Sequence, residues 1–158
     1  MPVRESRKQE VSLKQAMSVV ESINTILPDA CERFLVCGSV RREAARVGDI
    51  DVLVVPNAGT AQWLRDIGWD VTEAKAFGFV DDVAIDVYFT EDSTWGPMVA
   101  FLTGSQYENI RLRASAKSRG WKLSQYGLFD EEGSRVDDNT EESIYAFLDK
   151  PYKNPSQR

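Results

Sequence analysis

Asp49 and Asp51 stand two residues apart in Gly48-Asp49-Ile50-Asp51-Val52, and Asp86 stands alone in Ile85-Asp86-Val87. Alternate residues of a strand leave the same face, so Asp49 and Asp51 project together with Cβ atoms about 7 Å apart. That span suits two divalent cations about 4 Å apart. Carboxylates inside runs this apolar are costly unless a cation satisfies them. Taken alone, the Asp-x-Asp also fits an ion-pair network, or a strand end where Asp49 caps a turn and Asp51 holds a ribose. The third acid favours metal. If its strand pairs beside the first, three carboxylates converge.

A second group lies just upstream, in Cys37-Gly38-Ser39-Val40-Arg41-Arg42. Gly38 lets the backbone approach a phosphate, and a helix opening at Ser39 offers free N–H groups to it. The Ser39 hydroxyl can donate to a phosphate oxygen, and Arg42 is placed to neutralise a triphosphate. A Gly-Ser pair alone is a common turn. With two arginines and an Asp-x-Asp following closely, the combination points to nucleotidyl transfer assisted by two metal ions.

The elements that must position these residues follow from periodicity. Leu13, Ala16, Met17, Val20, Ile23, Ile26 and Leu27 have helical spacing, ended by Pro28. Phe34 to Cys37 reads as a strand running into Gly38-Ser39, followed by a short helix from about Val40 to Ala45. Ile50 to Val55 is a buried strand closed by Pro56-Asn57-Ala58-Gly59. Thr60 caps a helix to Ile67 with Trp63, Leu64 and Ile67 inward. Val71 to Ala76, Phe77 to Val80 and Val83 to Phe89 read as strands, with Asp81-Asp82 as a turn. After a composition shift at residues 90–95, helices are expected over Met98 to Leu102 and Glu108 to Arg119. Short strands follow at Trp121 to Leu123 and Gly127 to Phe129, then a weaker one near Arg135-Val136. A helix begins at Thr140-Glu141 and reaches Leu148, and Lys150 to Arg158 is an irregular basic tail. The organisation expected is a flexible arm over 1–10, a catalytic lobe over 11–91 and a smaller α+β lobe over 92–158.

Composition narrows the chemistry. The chain of 158 residues contains no histidine, so His-dependent hydrolases and His-built zinc sites are excluded. Carboxylate-only sites favour magnesium, with manganese as a substitute. Cys31 and Cys37 match no metal or redox spacing, and two reduced cysteines suit a cytosolic protein. No apolar run approaches the roughly 20 residues of a membrane span, and the polar N-terminus is unlike a secretory signal. A net charge of −6 argues against nucleic acid, but Arg111, Arg113, Lys117, Arg119 and Lys122 form a block with no acid between them. That block could track a phosphate backbone or be a solvated helix face.

Gly-Ser-x-Arg-Arg followed by Gly-Asp-x-Asp resembles the signature of the nucleotidyltransferase superfamily that includes the family X DNA polymerases. Phe101-Leu102-Thr103-Gly104-Ser105 resembles the family's Tyr-Phe-Thr-Gly-Ser segment. Asn109 through Lys117, Gly120, Leu123 and Tyr126 to Phe129 are similar to the helix and hairpin of its thumb, and the last residues to its closing helix and tail. The resemblance covers residues 9 to 158. It implies an α+β palm with a mixed sheet plus a small α+β thumb, the minimal form of the small viral members. Glu43, Phe101, Leu102, Gln106 and Ala84 depart from the family's usual residues.

Position by position, the resemblance implies that Asp49 and Asp51 ligate both magnesium ions and Asp86 the catalytic one. Gly38, Ser39 and Arg42 then contact the triphosphate. Phe101 abuts the incoming sugar, Gly104 precedes a serine through a cis peptide, and Asn109 faces the minor-groove edge of the nucleotide. Arg113 contacts the template strand, and Tyr126 helps hold the closed state. With Arg111, Lys117, Arg119 and Lys122 these form the expected DNA contacts. The implied activity is DNA-directed DNA polymerisation from dNTP on primer-template or gapped DNA, in short-gap repair. A monomer is expected, in the cytoplasm, or in a host cell's cytoplasm or nucleus if the chain is viral. With no lyase or helix-hairpin-helix region before Val11, the expectation is distributive synthesis without lyase activity. Two other readings remain: a template-independent nucleotidyltransferase acting on RNA or another acceptor, and a catalytically degenerate DNA-end-binding subunit.

Overall fold

The computed structural model describes residues 9–158, and the expected arm over 1–10 lies mostly outside them. A two-residue strand β1 (Val11–Ser12) leads into α1 (Leu13–Ile26). Ser12 caps this helix: its hydroxyl accepts from Gln15 N, and the Gln15 side chain accepts from Ser12 N, an arrangement worth about 1 kcal/mol. Ala16, Val19, Val20 and Ile23 form its buried stripe, whereas Met17 and Ile26 are largely exposed. β2 (Cys31–Val36) follows a 3₁₀ turn that contains Pro28.

The next helix, α2 (Gly38–Arg41), starts earlier and is shorter than its expected 40–45 span. Arg42 closes it and Glu43 turns to positive φ, a conformation no helix continues through. β3 (Arg46–Val47) pairs with β1, a small ladder that alternation alone does not mark. β4 (Asp49–Pro56) is the central strand, followed by α3 (Thr60–Asp66) and β5 (Asp70–Val71). β6 (Lys75–Val80) is one strand where the sequence suggests a break after Ala76, and β7 (Val83–Phe89) returns from it. The sheet order is β2-β4-β7-β6-β5. Only β4 and β7 are parallel; the other neighbours are antiparallel, giving the mixed sheet expected.

β4 is buried along Val52 to Val55 and β7 along Val83 to Val87. α1 and α3 cover one face of this sheet. Ile67, expected inward, is 48% exposed. It sits at the C-cap of α3, beyond the last helical turn that carries the buried Leu64.

α4 (Trp95–Thr103) begins three residues before the expected Met98. Pro97 is tolerated there because it falls in the first turn, where its missing N–H has no partner to lose. Ser105 caps α5 (Gln106–Ser118), and β8 (Lys122–Ser124) pairs with β9 (Gly127–Phe129). Arg135 makes only an isolated bridge to Phe129. Thr140 caps α6 (Glu141–Phe147). Ala100, Leu112, Ala116, Leu128, Ile144, Tyr145 and Leu148 form a second core. A third cluster, with Cys37, Leu53, Val55, Trp95, Met98 and Val99, joins α4 to the sheet. Among the described residues no helix is long and apolar enough to cross a membrane.

Candidate active site

Asp51 and Asp86 are register partners across the parallel β4–β7 pair. Equal register on parallel strands places their side chains on one face, and Asp49 joins them two residues before Asp51. Their carboxylate oxygens lie within 4.8 Å of one another. Asp49 and Asp51 are half-buried and Asp86 is 5% exposed. Three hard oxygen donors, with no nitrogen or sulfur donor among them, fit octahedral magnesium or manganese better than zinc.

The Gly38–Ser39 turn is held directly above this group. Cys37 N donates to Asp51 O (2.7 Å), fixing the end of β2 against β4. Gly38 has φ of +59°, and a Cβ there would run into the Asp51 carboxylate. Glycine at this position therefore serves two needs: a left-handed backbone and room for the Asp51 carboxylate. Burial pushes the Cys37 thiol up to about 12, so this residue is packing and not a nucleophile.

The two arginines divide their work. Arg42 donates from Nη1 to Thr103 O (2.6 Å) and lies against Gly104. Arg41 donates to Thr103 Oγ1 (2.7 Å) and to Glu141 (2.6 Å). Burial alone would lower the Arg41 pKa, but the Glu141 bond and charge outweigh it and hold it above its ordinary value. Glu141 takes a second cation, Arg158 Nη1, whose side chain is 1% exposed and lies over the Tyr145 and Tyr152 rings. The tail expected to be irregular is thus anchored at its last residue. No local pattern in the sequence marks Arg41, Thr103, Glu141 and Arg158 as partners.

The peptide between Gly104 and Ser105 is cis, as the resemblance implies. Asn109 Nδ2 donates to Phe101 O (2.9 Å), and the Arg113 guanidinium lies 5.4 Å from the Phe101 ring centre. Phe101, Asn109 and Arg113 therefore form one cluster beside the Thr103–Gly104 turn. The basic block is not one stripe. Arg111 pairs with Glu108, a buried acid that also holds Lys153 (3.3 Å). Arg119 donates to Phe147 O, Leu148 O and Asp149 at the end of α6. Arg111 serves a buried carboxylate, which needs cations, and Arg119, itself exposed, supplies donors to a helix end. Arg113, Lys117 and Lys122 are exposed, as is Tyr126 at the tip of the β8–β9 hairpin.

Residues 6–88 match the family model of the DNA polymerase beta palm, and residues 98–158 that of the DNA polymerase beta thumb. This chain belongs to the DNA polymerase beta family, family X. It is 24% identical to rat DNA polymerase lambda, over 77% of this chain and 28% of that protein. It is 24% identical to the DNA polymerase/3'-5' exonuclease PolX of Bacillus subtilis, over 80% of this chain and 24% of that one. With the repair DNA polymerase X of African swine fever virus it shares 25% identity, over 80% of this chain and 82% of the viral protein. The chain thus spans about a quarter of the rat and bacterial relatives and most of the viral one.

Proposed function

We propose that this chain is a template-directed DNA polymerase that transfers a nucleotide from dNTP to a primer 3′-hydroxyl and fills short gaps, with a palm over 11–91 and a thumb over 92–158. The observation that carries this reading is the meeting of Asp49, Asp51 and Asp86 on one sheet face beneath the Gly38–Ser39 turn. Asp49 and Asp51 would hold two magnesium ions, and Asp86 would join them on the ion nearer the primer. Held there, such ions would neutralise the triphosphate charge and lower the pKa of the attacking hydroxyl, with pyrophosphate as the leaving group.

The chain's own groups do the positioning. The amides of the Gly38–Ser39 turn and the Ser39 hydroxyl face the triphosphate. Arg42, steadied by Thr103 O, adds a fixed positive charge. Phe101, Gly104 and Asn109 border the sugar and base. Arg113, Lys117, Lys122 and Tyr126 offer the exposed contacts to DNA.

Primer extension on gapped DNA, on an open primer-template and on single-stranded primer tests the reading. Incorporation directed by the template base and lost with EDTA is expected. Equal extension without template would establish terminal transfer instead. DNA binding without incorporation would establish an end-binding subunit.

A further inference from the structure

The sheet has a second face, and it is not fully covered. Alternation along β4 and β7 turns the three aspartates to one side and Val52, Val54, Ile85 and Val87 to the other. There α1, α3 and the sheet enclose a pocket of about 300 Å³. Ile23 and Leu27 wall it on one side, and the rings of Trp63 and Trp69 on others. Trp69 packs on the backbone of β6 at Gly78, where a Cβ would clash with its indole. Ile26 and Ile67, 47% and 48% exposed, stand at the mouth.

The lining contains no charged side chain. Its single hydroxyl, Thr60, is engaged, donating to Ala30 O (2.6 Å) and accepting from Asn57 N (2.9 Å). Water needs two to four polar partners to be held in such a space, and an apolar cavity of roughly 150 Å³ already takes benzene. The volume here is about twice that, at the lower bound of small-molecule pockets. Rings in the walls favour an aromatic guest.

We propose that this pocket is a binding site for a compact apolar molecule of one or two rings. An occupant would rest on Val52 and Ile85, the chain neighbours of Asp51 and Asp86. The site would thus sit directly behind the carboxylate cluster while sharing no residue with it.

The probe is p-xylene. With methyl-labelled protein, isotope-filtered NMR should give contacts from p-xylene protons to the methyls of Ile23, Ile85 and Val87. The unfolding temperature should rise with p-xylene concentration, as for any ligand that binds only the folded state. Val54→Phe fills the pocket and should abolish both effects. The wild-type contacts locate the ligand by themselves, so poor folding of that variant leaves the test intact. No contacts at saturation, or contacts only to methyls outside the pocket lining, would overturn the proposal. So would concentration-dependent dimerisation lost in Ile26→Lys, which would identify a second copy of the chain as the occupant. Neither readout depends on nucleotidyl transfer.

Discussion

Asp51 and Asp86 face each other as direct register partners on adjacent parallel strands. Like charges this close repel, and a cation between them would offset that repulsion. Asp86→Asn relieves part of that repulsion. Without metal its melting temperature should equal or exceed that of the wild type. Addition of magnesium should stabilise the wild type more than the variant, and nucleotide incorporation should fall at least about a hundredfold. Calorimetry with and without magnesium, beside single-nucleotide incorporation, checks this; a variant with normal turnover would remove Asp86 from the mechanism.

Gly38→Ala tests the turn above the carboxylates. The added methyl must displace the Asp51 side chain, and the residue must keep positive φ. A cost of about 1 kcal/mol in stability is expected from the backbone. A displacement near 1 Å at the reacting groups should cost roughly a hundredfold in rate. The decisive observation is a rate loss far larger than the stability loss.

Glu141→Ala leaves the buried Arg158 guanidinium and the partly buried Arg41 guanidinium without their shared anion. Removal of one member of such a network costs about 3–5 kcal/mol. Urea unfolding should show the loss, and Glu141→Gln should recover only part of it. A loss under about 1 kcal/mol would mean that the tail is not anchored by charge.

Cys37 titrates far above the ordinary thiol value of 9.0, at about 12, because it is buried. Its folded pKa is raised, so its contribution to stability is full below pH 9 and is lost as pH rises toward 12, when the unfolded chain ionises first. The wild type should lose more stability than Cys37→Ala between pH 9 and pH 11. At pH 8 a thiol reagent followed by peptide mapping should modify Cys37 only after denaturant is added.

Lys117 and Lys122 are exposed cations of the basic block, whereas Arg111 pairs with the buried Glu108 and Arg119 is bonded to the end of α6. Lys117→Gln with Lys122→Gln should leave stability within about 0.5 kcal/mol. The salt dependence of DNA affinity should flatten by about one to two units of slope, alike for all sequences. An unchanged slope would place the DNA on another face.

The carboxylate pair, the Gly-Ser turn and most helices were legible in the sequence because each depends on neighbours a few residues apart. Alternation alone puts Asp49 and Asp51 on one face, and helical spacing alone marks α1. The third carboxylate needed the fold: Asp86 reaches its place through parallel pairing of β4 with β7, and strand periodicity says nothing about which strands pair. Glu141 and Arg41 are 100 residues apart, and their bond follows from how α6 packs against the turn that carries Arg41. Five cations without an intervening acid looked like one surface because sequence shows spacing and not burial. The fold drew Arg111 to a buried carboxylate, where unpaired charge is costly, tied the exposed Arg119 to a helix end, and left the other three at the surface with no ion pair among the described residues. Ile67 and the apolar pocket escaped for the same reason: side chains of one hydrophobic type are sorted into core, mouth and surface by the three-dimensional closure of the helices over the sheet.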